Sequence, residues 1–184
     1  FKLRHICVFS IKKLMKSKKN LIFVGMMGSG KSSIGYLVAK KLRLEFIDID
    51  KEIEKELGLT INKIFEIKGE NYFRKIEEKK SLKKLNLNSV AISLGGGAFL
   101  NTKIRKEVLK NHTSFYLNCS SQIILERIRN SKKRPLGNKF TDDELVDLMK
   151  KRSNIYSKAL YEIKCDNLKK KEIVNKILKL NESN

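Results

Sequence analysis

Gly25-Met-Met-Gly-Ser-Gly-Lys31-Ser32 is the stretch whose reading decides the fold. It follows the apolar run Leu21-Ile-Phe-Val24 and precedes a helix-like pattern from Ser33 to Leu42. Strand, glycine-rich turn and helix form the context that the phosphate-binding pattern G-x-x-x-x-G-K-[ST] requires. Gly25, Gly28 and Gly30 permit backbone conformations that a Cβ forbids, so successive N–H groups can converge on phosphate oxygens. A helix beginning near Gly30 adds the positive end of its dipole. Gly28, Ser29, Gly30, Lys31, Ser32 and Ser33 are therefore the expected contacts to a nucleoside triphosphate. Lys31 can reach the β- and γ-phosphates, and the Ser32 hydroxyl can ligate Mg²⁺.

Working outward, 184 residues suffice for one α/β domain and are too few for two of ordinary size. The formal charge is +21, with 41 Lys and Arg against 20 Asp and Glu. Such a balance attracts polyanions whatever the fold, so a basic nucleic-acid-binding ATPase is a reading to weigh. The cations are mostly lysines spread along the whole chain, however, and no nucleic-acid motif accompanies them. Cys7, Cys119 and Cys165 are odd in number, far apart and without a C-x-x-C pair. They point to reduced thiols and a cytoplasmic location, not to a disulfide frame or a zinc site. No apolar run approaches membrane-spanning length, and nothing demands more than a monomer. Residues 1–19 lack any acidic residue. They are expected to be a poorly ordered basic extension of a domain spanning 20–184, with Met15 a candidate start.

From Asn20 onward the pattern alternates. A short strand, Leu44 to Asp50, ends in two aspartates, and helical segments follow over Lys51 to Leu57, Thr60 to Lys68 and Glu70 to Leu85. The run Val90-Ala-Ile-Ser-Leu94 reads as a buried strand entering Gly95-Gly96-Gly97. Then come a helix (Thr102 to Lys110), a strand (Thr113 to Leu117) and a helix (Ser121 to Arg129). Lys132-Lys-Arg-Pro-Leu-Gly-Asn-Lys139 breaks all periodicity and is expected to be a mobile loop. Helix (Thr141 to Tyr156), strand (Tyr161 to Cys165) and helix (Lys170 to Leu180) complete the chain. Five short strands alternating with helices argue for a parallel sheet covered on both faces, with ligands at the carboxyl ends of the strands.

Three further groups fall at those ends. Asp48 and Asp50 are two apart, so a strand pleat would turn both to one side; equally, they fit a helix cap followed by a first-turn acid. Arg74 can meet Glu77 or Glu78 on one helix, either as a surface ion pair or as a clamp for an anionic substrate. Three glycines in a row, Gly95 to Gly97, cost backbone entropy, and the usual return is close approach of main chain to a ligand. Arg134, in the proline-bearing loop, suits a lid over transferring phosphate, with Arg127 and Arg152 on the flanking helices.

Taken together, G-x-x-G-x-G-K-S, Asp-Ile-Asp, Phe-Arg-x-x-Glu-Glu, Gly-Gly-Gly, Arg-Pro-Leu and a later Arg…Tyr resemble the shikimate kinases. The resemblance covers essentially Asn20 to Leu180. It implies a P-loop NTPase fold, three-layer α/β/α, with a five-stranded parallel sheet in the order 2-3-1-4-5. It also implies a substrate-binding segment at about 49–86 and a lid at about 131–141. The expected reaction is transfer of the ATP γ-phosphoryl group to the shikimate 3-hydroxyl, with Mg²⁺. By position, Asp50, Arg74, the Gly95–Gly97 loop and Arg152 would bind shikimate, Arg74 and Arg152 at its carboxylate. Glu77 would orient Arg74, Ser32 and (through water) Asp48 would serve Mg²⁺, Arg127 would stack on adenine, and Arg134 would be the lid arginine. Lys31, Asp50 and Arg134 would be catalytic. Two stretches depart from the family pattern: Arg152-Ser-Asn-Ile-Tyr156 lacks the usual proline, and Leu136-Gly137 replaces paired leucines. A related metabolite or nucleotide kinase is the closest rival, and neither nucleic acid nor membrane is an expected partner.

Overall fold

The computed structural model describes residues 19–130 and 140–183. Its first strand, β1 (Leu21–Val24), is wholly buried and runs into the glycine-rich loop, after which α1 (Lys31–Leu42) begins. Next come β2 (Glu45–Asp48), α2 (Ile49–Leu57), α3 (Ile61–Lys68) and α4 (Glu70–Leu85). β3 (Val90–Ser93) leads through the triple glycine into a 3₁₀ turn at Ala98–Leu100. Then follow α5 (Thr102–Asn111), β4 (Thr113–Asn118), α6 (Ser121–Arg129), α7 (Asp142–Tyr156), β5 (Tyr161–Lys164) and α8 (Lys170–Glu182).

The five strands form one parallel sheet in the order β2-β3-β1-β4-β5, as expected. Strands buried on both faces read as continuous apolar runs, which is why Leu21–Val24 and Val90–Ser93 show no alternation. Register separates two faces. Phe23, Phe115 and Tyr161 stack in a row across β1, β4 and β5, with ring centroids 5.8 and 5.5 Å apart. Helix α1 lies on that face and approaches closely because Gly35 has no side chain: a Cβ there would stand 2.7 Å from Phe46 and 3.0 Å from Phe23. On the opposite face Tyr116 packs against Tyr156 of α7 at 5.4 Å.

One buried polar residue fastens the entry to the sheet. Asn20 is fully buried; its amide donates to Leu85 O and Leu87 O, and its carbonyl oxygen accepts from Val90 N. It thereby joins the start of β1, the end of α4 and the start of β3. All strands point the same way, so every carboxyl end, and every loop that carries a candidate site residue, lies at one edge of the sheet.

The second strand is shorter than expected. It stops at Asp48, whose side chain accepts from Lys51 N at 3.3 Å and caps α2. Asp50 is therefore a first-turn residue of α2, and the cap arrangement replaces the strand pleat for this pair. Asp48 is itself extended, and its carboxylate satisfies an N–H that the first turn of α2 would otherwise leave without a partner. The proposed basic extension, apart from Lys19, and most of the proposed lid, including Arg134, lie outside the described residues.

Candidate active site

The glycine-rich loop adopts the conformation its sequence demands. Gly25, Gly28 and Gly30 have φ of 139°, 87° and 96°, all disfavoured for residues with a Cβ. Lys31 is buried, and its ammonium donates to Gly25 O and Met26 O, each at 2.9 Å. The charge thus sits inside the curl of the loop, at the N-terminus of α1. Ser32 and Ser33 occupy the exposed first turn of that helix. From β4 and α6, Cys119 and Arg127 close one side: Arg127 Nη1 donates to Gly28 O at 3.1 Å, and Cys119 Sγ lies 3.6 Å from Ser29 O.

A cluster of charged side chains faces the other side of the loop. Glu77 on α4 is 2% exposed, and its Oε2 accepts from Arg74 Nη1 at 2.6 Å. Glu70, one turn earlier, accepts from Arg74 Nη2 and Nε at 3.0 and 3.1 Å. The guanidinium also lies 5.1 Å from the Phe73 ring centroid and 5.8 Å from that of Phe65. Two carboxylates and two rings fix Arg74 in direction. Glu78, the other candidate partner, is engaged elsewhere: Asn101 and Lys103 at the start of α5 donate to it, each at 2.7 Å.

The triple glycine is the floor of this cluster. A Cβ on Gly95 would stand 2.6 Å from Asp50 Oδ1 and would overlap Glu77 Oε1; one on Gly97 would stand 2.7 Å from Arg74 Cζ. Gly96 passes beside the phosphate loop, its Cβ position 3.4 Å from Met27 N. The Tyr156 hydroxyl donates to Gly96 O and ties α7 to the floor. Arg152, one turn before Tyr156, reaches Met26 Sδ at 3.9 Å and acts electrostatically on Glu77.

Burial sets the charge state here. The Asp50 carboxyl is pushed up to about 7, chiefly by desolvation and then by the nearby Glu77 and Asp48 carboxylates, against the pull of Lys31 and Arg74. Desolvation also raises Glu77, although the Arg74 guanidinium opposes it. Glu77 Oε1 has no hydrogen-bond partner. Together these groups make a half-built anion site: a directed guanidinium, a second arginine, and a carboxyl group able to hold or take a proton near neutrality.

Asp48, Asp50, Arg74, Glu77, Gly95–Gly97 and Arg152 thus cluster beside the phosphate loop and Lys31, and Arg127 joins from the other flank. Sequence reading missed Glu70, although its i−4 spacing from Arg74 was a usable signal. It also gave no role to Tyr156 or to Cys119, whose positions only the folded sheet reveals.

A family model described as "Shikimate kinase" matches residues 27–182. A shikimate kinase of Sulfurihydrogenibium sp. is 39% identical over 160 residues, covering 87% of this chain and 96% of the relative. One from Caldicellulosiruptor bescii is 38% identical over 165 residues, covering 88% and 95%. Among solved structures, shikimate kinase from Acinetobacter baumannii in complex with shikimate has a TM-score of 0.86 at 32% identity, covering 93% of this chain and 97% of that one. The kinase from Aquifex aeolicus has a TM-score of 0.77 at 36% identity, covering 89% and 96%. A gluconokinase from Sinorhizobium meliloti, at 16% identity and a TM-score of 0.53, shares the fold alone. With the phosphate loop, the directed arginine and the glycine floor all present in one parallel sheet, the chain belongs to the shikimate kinase family.

Proposed function

We propose that this chain uses ATP to phosphorylate the 3-hydroxyl of shikimate, giving shikimate 3-phosphate and ADP, a step toward chorismate and the aromatic amino acids. The observation that carries the reading is Arg74, held by Glu77 and Glu70 over the side-chain-free floor of Gly97. A guanidinium fixed by carboxylates on one side presents its remaining donors in a fork suited to a substrate carboxylate. Arg152 would supply the second cation, and Asp50 would receive the ring hydroxyls.

In-line phosphoryl transfer depends mainly on positioning and charge stabilisation. Lys31 and the N–H groups from Gly28 to Ser33 would bind the triphosphate, with Arg127 against the nucleotide. Asp50 would orient the attacking hydroxyl and accept its proton. Arg134 would come from the proposed lid at about 131–141, and residues at about 49–86 would form the substrate-binding segment. Mg²⁺ fits the residues present: Ser32 offers an exposed hydroxyl, and Asp48 uses only Oδ1 in its cap. Hard oxygen donors, with water and phosphate completing the shell, are what this ion takes. When bound it would offset phosphate charge, held at Ser32 and, through water, at Asp48.

The test is ADP release by purified protein with Mg-ATP, with and without shikimate, beside gluconate and nucleoside monophosphates. Shikimate-dependent ADP is expected; release with another acceptor alone overturns the reading. Arg74→Ala is expected to raise the shikimate KM at least tenfold and leave ATP binding unchanged. Wild-type kinetics in that variant would remove the clamp.

A further inference from the structure

Cys119 and Cys165 stand at the carboxyl ends of neighbouring strands. β4 and β5 pair with Leu117 opposite Ile163 and Asn118 opposite Lys164. The next bond, Cys165 N to Asn118 O at 2.8 Å, carries that register on and sets the two cysteines side by side. Paired strands run about 4.8 Å apart, inside the Cα separation of about 4.4–6.8 Å that a disulfide spans. Both are free, buried thiols; Cys119 Sγ donates to Ser29 O at 3.6 Å and Cys165 Sγ to Ile163 O at 3.1 Å.

A buried thiol pair is ordinarily inert packing. This one differs in access and in its neighbours. Cys119 lines a cavity of about 260 Å³ with Met26, Tyr116, Met149 and Tyr156, which admits a small reagent. Its sulfur lies 3.8 Å from Arg127 Nη1 and 3.6 Å from Ser29 O, so it touches both the phosphate loop and the arginine that holds Gly28 O. The neighbouring Cys165, then the Arg127 guanidinium, hold the Cys119 thiol down against burial. The same contact with Cys119, together with burial, pushes Cys165 up. Cys119, which lines the cavity and lies against Arg127, is thus the attacking thiol, and Cys165 beside it the resolving one.

We propose that Cys119 and Cys165 are a thiol–disulfide pair that closes when Cys119 attacks a low-molecular-weight disulfide, and that closure weakens nucleotide binding at the adjacent phosphate loop. The Cys119 thiolate displaces one thiolate from the reagent and forms a mixed disulfide. Cys165 then attacks the Cys119 sulfur; its proton and the second reagent thiolate leave as a thiol. The protein loses two electrons, and the reagent disulfide gains them. Drawn toward β5, the Cys119 sulfur no longer supports Arg127, whose hold on Gly28 O slackens. Only this last consequence rests on the nucleotide reading above.

Native Cys7→Ser protein, in which only this pair reports, is treated with bis(2-hydroxyethyl) disulfide and read by thiol titration, intact mass and peptide mapping. Both thiols are expected to disappear with loss of two hydrogen masses and a peptide link between Cys119 and Cys165. Adding Cys165→Ser should arrest the reaction at a mercaptoethanol adduct on Cys119. The Kd for ADP, measured by calorimetry without shikimate, should rise at least about fivefold on oxidation and recover with dithiothreitol. A lasting adduct with Cys165 present, reaction only after denaturation, loss of near-UV circular dichroism on oxidation, or an unchanged ADP Kd each overturn the proposal. None of these readouts measures phosphoryl transfer, so failure here is separate from failure of the kinase reading.

Discussion

Asp50, the proposed proton acceptor, is a half-buried carboxyl group with an unusual titration. Its raised titration, to about 7 from 3.8, means that the folded chain keeps a proton the unfolded chain has lost. Stability contributed at this site is therefore highest below the lower value and falls as pH rises through the window between them. Asp50→Asn is expected to melt above the wild type at pH 8, by about 5 °C, with the gap closing toward pH 4. The same change should lower kcat at least about a hundredfold. It should also abolish the rise of wild-type kcat/KM through pH 7, a profile that steady-state rates at saturating Mg-ATP would reveal. Equal melting temperatures at pH 8 would show that Lys31 and Arg74 fully compensate the buried charge. Gly97→Ala makes the complementary point from the backbone side. A methyl 2.7 Å from Arg74 Cζ must displace the guanidinium. The shikimate KM should rise at least tenfold, with a stability loss of about 1–3 kcal/mol, measured by kinetics and urea melts.

At the scale of elements, Asn20 deserves a test because three segments converge on it. Asn20→Ala removes a partner from Leu85 O and Val90 N in a buried place and from Leu87 O at its part-buried rim. A loss of about 2–4 kcal/mol in denaturant unfolding is expected, with little change in kcat. The order and type of the elements were legible beforehand, since strand runs, glycine stops and the phosphate-loop pattern are local signals. α6 begins and ends where its apolar spacing placed it, at Ser121 and Arg129. Other features depended on what comes together only in three dimensions. Whether Asp48 ended a pleat or capped a helix turned on where the backbone changed direction. Arg74 chose Glu77 and Glu70 over Glu78 because the start of α5 already occupied Glu78 with Asn101 and Lys103. Cys119 and Cys165, distant along the chain, became neighbours through β4–β5 pairing that no spacing rule announces. The gathering of Asp50, Arg74, Gly95–Gly97 and Arg152 was readable only through the family resemblance, and the Asp48 cap, Glu70 and the Cys119–Cys165 pairing were not.

For the molecule as a whole, the excess of 21 positive charges has a thermodynamic consequence. Ion pairs such as Lys103–Glu78 and Arg129–Asp142 sit at the surface, where each contributes little. Self-repulsion among the remaining lysines is screened over about 10 Å at 0.1 M salt. The melting temperature in the absence of substrates is therefore expected to rise by about 2–4 °C between roughly 0.02 and 0.2 M sodium chloride. A fall would mean that the ion pairs outweigh the repulsion. The glycine floor bears on how such a chain can drift over generations. Gly96 and Gly97 are partly exposed, and a tally of burial alone would grade them as free to change. Yet the volume a side chain would need at Gly97 already belongs to Arg74, and at Gly95 to Asp50 and Glu77. Gly58 has open space where a Cβ would go and an αL backbone, φ 64° and ψ 16°, that Asn and Asp tolerate, whereas Gly69, at φ 79° and ψ 165°, holds a backbone that only glycine adopts readily. In a library under selection for aromatic prototrophy, Asn and Asp should therefore accumulate at 58, while codons 69, 95 and 97 should stay fixed. The region proposed to accept the substrate is closed to innovation by the side chains of Asp50, Arg74 and Glu77 that already fill it.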